Sequence, residues 1–228
     1  MKTVLTPIHN TGWPFIFLFL IMSFFLFPFS ITLGYIGLLL TSWCVYFFRN
    51  PRRVTPLDKG FIISPADGTI TKIERVPPPK ELKWDKKSLT RISIFLNIFD
   101  VHVNRIPIDG TITKILYHPG KFFNAALDKA SEHNERNSLI LKTSTGQELL
   151  VVQIAGLIAR RIICDVDEGQ LVKAGETYGI IRFGSCVDVY LPEGVEPQVI
   201  EGQRMIGGET LLADLNSNAP QRTGAVRP

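Results

Sequence analysis

Cysteine is scarce in this chain of 228 residues, and the three that occur, Cys44, Cys164 and Cys186, are far apart. No two of them form a CxxC pair, and an odd number cannot be paired completely. This composition argues against a disulfide framework and against a zinc site, and it favours a reducing compartment. We therefore expect no metal.

The excess of positive charge is also small, with a formal net charge of +4. The basic residues form no run with interleaved aromatic residues, and no familiar DNA- or RNA-binding motif is present. Such features are usual in nucleic-acid-binding proteins, so the sequence predicts no nucleic-acid partner.

Charge is missing altogether from Trp13 to Phe48. One membrane span needs roughly 20 apolar residues, so the stretch is long for one helix and short for two. Pro28, with Ser30 after it, is a natural break in a helix. The pattern therefore favours a membrane-embedded helical hairpin over a single tilted span, with a buried core helix as the remaining alternative. The length of the stretch argues against a signal peptide.

Basic residues follow the uncharged stretch at once, as "RNPRR" from Arg49 to Arg53. By the positive-inside tendency they place the following domain on the cytoplasmic side of the cell (inner) membrane. Arg49, Arg52 and Arg53 would also attract anionic lipid headgroups. The predicted organisation is an N-terminal flank at 1–12, a membrane segment at 13–48, one domain at 49–215 and a disordered tail at 216–228.

Two internal repeats dominate the rest of the chain, which reads as alternating strands separated by turn residues. "DGTITKI" occurs at Asp67–Ile73 and again at Asp109–Ile115, while "EGQLVKAGET" at Glu168–Thr177 returns as "EGQRMIGGET" at Glu201–Thr210. The predicted fold is mainly β with minor α, built from duplicated β-hairpin units in two related halves. The second repeat resembles the hairpins of biotinyl and lipoyl carrier domains, but the lysine tip that carries their cofactor is missing.

Few residues of this domain are suited to acid–base chemistry. His102 lies in "NIFDVHVNRIP", where a regular strand would place Asp100 and Asn104 on the same face. His133 lies in a polar loop, "EHNERNS", which either approaches a substrate or is simply solvated. Asp67, in "SPADG", is either functional or a turn former, and the second "DG" at Asp109 supports the turn.

The step Gly184-Ser185, in "RFGSCVDVYLP", enters a predicted strand directly. It is either a plain turn or a reactive site. A serine hydrolase elbow would need a helix after the serine, and none is predicted here. The hydroxyl of Ser185 could instead attack the carbonyl of Gly184, which has no side chain in the way. The ester so formed can eliminate to an amino-terminal dehydroalanine, which hydrolyses to a pyruvoyl group.

Six motifs in one order resemble phosphatidylserine decarboxylases, particularly the short, membrane-anchored type. The motifs are "SPADG", "FDVHVNRIPIDG", "HPGKFFNA", "NER", "AGLIARRI" and "RFGSCVDVYLP". The resemblance implies self-cleavage between Gly184 and Ser185, giving a β subunit of residues 1–184 and an α subunit of residues 185–228 that begins with a pyruvoyl group. It also implies that the substrate amine forms a Schiff base with pyruvoyl-185.

One position departs from the family pattern. Longer members have D-x-H-x-x-H, and their second histidine joins an Asp-His-Ser cleavage triad, whereas this chain has Asp100, His102 and Arg105. Asp67 and Ser185 match their positions. Either His102 therefore serves both processing and turnover, or processing relies on strain and Asp67. Arg105 and His133 are the candidates for support of the substrate or of processing.

The activity implied by the resemblance is the conversion of phosphatidylserine to phosphatidylethanolamine and carbon dioxide at the membrane surface. His102 is the candidate acid that returns a proton to the α-carbon. Membrane lipid and the two subunits of one precursor are the expected partners, with a homo-oligomer as a further option. The rival hypotheses are a membrane-tethered carrier or scaffold domain without catalysis, a membrane-anchored serine hydrolase, and a pyruvoyl decarboxylase of a soluble amino acid.

Overall fold

Two units make up the chain, Met1–Arg52 and Arg53–Pro228. The computed structural model describes residues 6–84, 88–120, 134–156, 161–182, 185–217, 219–222 and 224. The boundary between the units lies within the basic stretch that follows the uncharged segment.

The first unit contains a helical hairpin, as the sequence predicts. After a short 3-10 turn at Asn10–Gly12, helix α1 spans Trp13–Leu26 and helix α2 spans Ile31–Phe47. Pro28 lies in the connection, and Ser30 is the N-cap of α2. The break therefore occurs where a proline would remove a helical hydrogen bond.

Small residues form the seam between α1 and α2. The hydroxyl of Ser23 donates to the carbonyl of Gly34 over 2.6 Å, and a Cβ atom on Gly37 would lie only 2.7 Å from that of Ser23. Many large apolar side chains are exposed, Phe24 and Leu39 among them, whereas Ile16 and Phe47 are buried. Within the described residues, no helix combines the length and the hydropathy that crossing a bilayer requires.

The second unit is mainly β, which confirms the predicted class. A short 3-10 turn lies at Lys80–Leu82. The strands are β1 (Phe61–Ile63), β2 (Gly68–Val76), β3 (Leu89–Leu96), β4 (Val103–Arg105), β5 (Gly110–His118), β6 (Arg136–Lys142), β7 (Glu148–Ala155), β8 (Ile162–Cys164), β9 (Leu171–Val172), β10 (Thr177–Ile181), β11 (Ser185–Tyr190), β12 (Arg204–Met205) and β13 (Leu211–Asp214).

These strands form one large sheet and two small ones. The large sheet has the order β12-β2-β3-β11-β7-β6-β5-β9, and the small sheets are β4-β10-β8 and β1-β13. Strand β11 lies between β3 and β7 and is antiparallel to both. Its residues are buried along its whole length, so it is a central strand of the domain.

The two faces of β11 enter different cores, because side chains alternate along a strand. Val187 and Val189 pack with Ile94 and Val151 in the larger core, which also receives residues of the small sheets. Cys186 and Tyr190 face the other way, in a smaller core with Leu150 and others. Ser185 has the parity of Val187 and so lies on the larger-core face.

The sequence repeats occupy equivalent places in the large sheet. Ile70 donates from its backbone to Gln203 over 2.9 Å, and Ile112 donates likewise to Gln170 over 3.0 Å. Strands β2 and β5 have their register shifts at the same point of the repeat. A pseudo-twofold axis therefore relates β12 to β9, β2 to β5, β3 to β6 and β11 to β7. The likeness to biotinyl and lipoyl carriers stays a prediction.

Candidate active site

Ser185 is the first residue of the central strand β11. It pairs with Leu96 on one side and with Ala155 on the other, and it is fully buried. Among the described residues, its hydroxyl has no hydrogen-bond partner. A buried polar atom left unpaired is costly and calls for a functional explanation. Gly184, on the other side of the predicted scissile bond, lies outside the described residues.

His102 lies close to the chain that leads into Ser185. It is fully buried, and its carbonyl accepts a hydrogen bond from the backbone of Ile181, the last residue of β10, over 3.3 Å. Its Nδ1 atom lies 3.0 Å from the carbonyl of Asp100. A carbonyl can only accept, so Nδ1 carries the proton, and Nε2 is the basic nitrogen of the neutral ring.

The prediction that Asp100, His102 and Asn104 share one strand face is wrong, because β4 begins only at Val103. Asp100 lies in a turn, where its carboxylate accepts from the backbone of Asn97 over 2.9 Å and pairs with Arg204. The alternation expected of a strand does not hold in the turn before it.

Asp67 lies at the same end of the large sheet as Ser185, two strands away. Thr69 pairs with Phe95, next to Leu96, so about two strand spacings, roughly 10 Å, separate the two backbones. The carboxylate accepts from the backbone of Gly207 over 2.7 Å and from Arg53 over 2.7 Å. Asp109 makes the equivalent turn contact, to Ala174 over 2.8 Å, so the contact with Arg53 distinguishes Asp67.

Arg105 belongs to the same charged cluster as Asp67. It is buried and donates to the carbonyl of Gly175 over 2.8 Å. Burial lowers the pKa of Arg105, and the neighbouring charge of Arg53 lowers it further, against Asp67 and Glu209, which raise it. The structure thus brings Asp67 and Arg105 together. It places His102 beside Ile181 at the end of β10, four residues before Ser185.

The predicted supporting residue His133 lies outside the described residues. The next two residues, Asn134 and Glu135, bond to Ala155 of β7. Asn134 donates its amide to the carbonyl of Ala155 over 2.7 Å. The backbone of Ala155 donates to the carbonyl of Glu135 over 2.9 Å. Ala155 is the residue opposite Ser185. The "NER" motif was visible in the sequence, but no role for Asn134 or Glu135 followed from it.

A chain of buried amides lies on the Ser185 face of the sheet and was not anticipated. Gln153 donates to Asn104 over 2.8 Å and accepts from Asn137 over 3.1 Å. The amide nitrogen of Asn104, Nδ2, is buried and has no partner among the described residues. Because β7 and β4 belong to different sheets, the Gln153–Asn104 bond joins the two layers beneath the site.

Comparison with known proteins places these residues in one family. The family model described as phosphatidylserine decarboxylase matches residues 40–213. The chain is 53% identical, over all of its length and 98% of the relative's, to a phosphatidylserine decarboxylase proenzyme of Cereibacter sphaeroides. It is 55% identical to that of Ruegeria pomeroyi, over 93% of this chain and 97% of the relative's, and 56% identical to that of Rickettsia akari, over 91% and 90%.

The chain belongs to the phosphatidylserine decarboxylase family. The matched region includes every candidate residue, from Asp67 to Ser185. The family resemblance expected from the sequence motifs is thereby confirmed.

Within the described ranges, no group of three or more His, Cys, Asp and Glu side chains is arranged to hold a metal ion. The relatives are named proenzymes, a name consistent with processing of a precursor, and the buried hydroxyl of Ser185 has no hydrogen-bond partner among the described residues.

Proposed function

We propose that this chain is a self-cleaving, pyruvoyl-dependent decarboxylase that converts phosphatidylserine to phosphatidylethanolamine and carbon dioxide at the membrane surface. Membership of the family supports the reaction. The observation that carries the assignment to this site is the buried hydroxyl of Ser185 at the start of the central strand, which has no hydrogen-bond partner among the described residues.

Processing begins with Ser185. Its hydroxyl oxygen attacks the carbonyl carbon of Gly184, and the amide nitrogen leaves, so an ester joins the two residues. Elimination then leaves a carboxylate on Gly184 and a dehydroalanine at position 185. Water replaces the nitrogen, which departs as ammonia, and a pyruvoyl group remains. Once formed, this group supplies the electron sink for decarboxylation of a substrate amine.

His102 is the proposed proton donor of turnover. When carbon dioxide leaves, the α-carbon of the substrate must gain a proton, and a positioned imidazole is suited to that role. Two observations support the assignment, namely the burial of His102 and its backbone bond to Ile181, four positions before Ser185. Because Nδ1 is held by the carbonyl of Asp100, Nε2 would first take up a proton, which makes the ring an imidazolium, and would then give that proton to the α-carbon.

Asp67 and Arg105 are proposed to support processing rather than turnover. Both lie at the Ser185 end of the domain. Arg53 donates to the carboxylate of Asp67, and, in addition to burial, its charge lowers the pKa of Arg105. Arg105 stands where longer relatives have the second histidine, so this cluster replaces the missing part of their triad.

The hairpin is proposed to be embedded in the membrane, with the domain on the cytoplasmic side of the cell membrane. The hydrogen bond from Ser23 to Gly34 lies in the seam, while Phe24, Phe25 and Phe29 are exposed on the outside. This distribution suits lipid, where backbone and polar groups must be satisfied internally. The basic stretch after the hairpin favours the cytoplasmic side.

Intact-mass measurement together with a decarboxylation assay tests the function. Active protein should consist of two pieces divided at Gly184/Ser185, and the small piece should have a blocked amino terminus. Ser185→Ala should remain one inactive chain. A single full-length species that still releases carbon dioxide from phosphatidylserine would contradict self-cleavage. Labelling of uncleaved Ser185 by an active-site phosphonate would favour a serine hydrolase, and an uncleaved chain without a carbonyl would favour a carrier or scaffold.

A further inference from the structure

Exposed apolar side chains gather at the end of the large sheet where Ser185 lies. Ile98 and Phe99 occupy the turn that follows β3, and they are 39% and 60% exposed. Ile206 follows β12 and is 41% exposed. The last residue of β3, Leu96, pairs with Ser185, so this turn begins immediately beside the proposed site.

Polar contacts hold the turn while its apolar residues face outward. The backbone of Phe99 donates to the side chain of Asn97 over 2.8 Å, and the backbone of Asp100 donates to the carbonyl of Asn97 over 3.0 Å. The carboxylate of Asp100 pairs with Arg204, whose side chain is 53% exposed. Ile98 and Phe99 therefore lie exposed on a turn that is fixed by hydrogen bonds, beside the half-exposed side chain of Arg204.

The other half of the domain shows that the fold does not require an apolar tip here. Strand β6 is the equivalent of β3, and it leads into the turn Thr143–Gln147, whose residues are all polar or glycine. That turn is closed by its own backbone bond, from Gly146 to Thr143 over 3.0 Å. It lies at the opposite end of the large sheet, because Lys142 pairs with Glu148 rather than with the Ala155 end of β7.

We propose that Ile98 and Phe99 insert into the surface of a lipid bilayer and hold the Ser185 end of the domain against it. The inference rests on the proposed function, since a lipid-borne headgroup reaches a buried serine only if that end of the domain meets the bilayer. Apolar side chains gain free energy by entering the headgroup and acyl boundary, and a basic side chain adds attraction to anionic lipid. Arg204 is half-exposed at this end, but its charge is paired with Asp100, so the apolar side chains carry the proposal.

Lipid-based quenching tests the insertion directly in the full chain, including the hairpin. Phe99→Cys and the matched control Thr145→Cys each receive an NBD fluorophore, and each is placed in nanodiscs of phosphatidylcholine and phosphatidylglycerol. The labelled wild type gives the background from Cys44, Cys164 and Cys186. Nitroxide on the lipid acyl chains should quench the fluorophore at position 99 and leave that at position 145 near background. Equal quenching at both positions, or at neither, would overturn the proposal.

Activity separates bilayer docking from catalysis. Phe99→Ser should lower the ratio of turnover on long-chain phosphatidylserine in vesicles to turnover on a monomeric short-chain phosphatidylserine by about tenfold, as expected for loss of one buried aromatic side chain. Leu171→Ser, which replaces an exposed apolar residue at the opposite end of the sheet, should leave that ratio unchanged. An unchanged ratio in Phe99→Ser, or an equal loss on both substrates, would contradict docking by the tip.

The two readouts distinguish failure of this inference from failure of the proposed function. A wild-type protein inactive on both substrates would refute the function, while the quenching result would still report on insertion. The tip could instead contact a second copy of the chain. In that case, Phe99→Ser would change the oligomeric mass in native mass spectrometry and position 99 would escape lipid quenching, which would overturn the proposal.

Discussion

Arg91 and Asp188 approach to 3.6 Å, between Nη1 and Oδ2, on the face of the large sheet that points away from Ser185. Arg91 belongs to β3 and Asp188 to β11, so the proposed cleavage assigns them to different pieces. Arg91 also pairs with Glu74 on β2. Strand β11 of the small piece would therefore be held between two strands of the large piece by two strand ladders and by this buried charge pair, while β12 and β13 pair with β2 and β1.

Loss of Arg91 should weaken the hold on the small piece after cleavage. Arg91→Met would leave Asp188 buried without its cation, and breaking a buried pair in this way costs about 3 kcal/mol or more. We expect the small piece to separate from the large one at a lower urea concentration, as measured by size exclusion of the cleaved protein. Asp188→Asn is the matched control and should cost less, because Arg91 keeps Glu74. Equal urea midpoints for Arg91→Met and wild type would refute a role for the pair.

The same variant should have a defect that depends on pH. Burial raises the pKa of Asp188 above its ordinary value of 3.8, although Arg91 and Ser93 act in the opposite direction. Without Arg91, the pKa should rise further. A raised pKa stabilises the fold below the ordinary value, and that contribution is lost as pH rises through the folded value. The urea midpoint of Arg91→Met should therefore fall further below that of wild type as pH increases from about 4 to about 7.

His102→Ala should separate turnover from processing. The chain should still be cut, at least in part, because the attacking hydroxyl and the strand ladders around Ser185 remain. Carbon dioxide release per cut molecule should fall by about 10²–10⁴-fold, the usual contribution of general acid–base catalysis. The measurements are the cut fraction on a gel and the rate per cut molecule. Normal turnover of the cut protein would exclude His102 as the acid and would make His133 the next candidate.

Asp67→Asn should show the opposite bias, with slow cutting and a cut fraction that remains active. The substitution keeps the acceptor for Gly207 but removes the charge that faces Arg53. Asp109→Asn is the matched control, because Asp109 makes the equivalent turn contact in the other half. Both variants should fold, and cutting followed over time should be slowed in Asp67→Asn alone. Equal slowing of cutting in both variants would show that Asp67 acts only as a turn residue.

Arg105→His should be tolerated in processing, because it restores the histidine that longer relatives have at this position. The substitution removes the bond to Gly175 but also relieves the repulsion between Arg105 and Arg53. We expect a cut fraction near that of wild type, with Arg105→Ala as the control that restores nothing. Complete loss of cutting in Arg105→His, with cutting retained in Arg105→Ala, would refute this view of the cluster.

Local patterns in the sequence predicted the elements but not their neighbours. The break at Pro28, the strand after Ser185 and the equivalence of the two "DGTITKI" repeats all depend on residues close together in the chain. The bonds from Gln153 to Asn104 and from Ile181 to His102 join segments far apart in sequence. Periodicity fixes which side chains share a strand face, but strand order and register depend on the whole sheet.

Membrane embedding of the hairpin makes a prediction that surface association does not. Wild-type protein should stay with membranes after a high-salt wash, since salt screens surface charges but leaves buried apolar area unaffected. Phe24 is 74% exposed on the outside of α1, so Phe24→Asp would place a charge in lipid at a cost of about 3 kcal/mol near the centre of a span. We expect this variant to shift from the membrane fraction to aggregates or to the soluble fraction. If Phe24→Asp stays with the membrane in normal amounts, or if salt alone releases the wild type, the hairpin does not lie in the hydrocarbon.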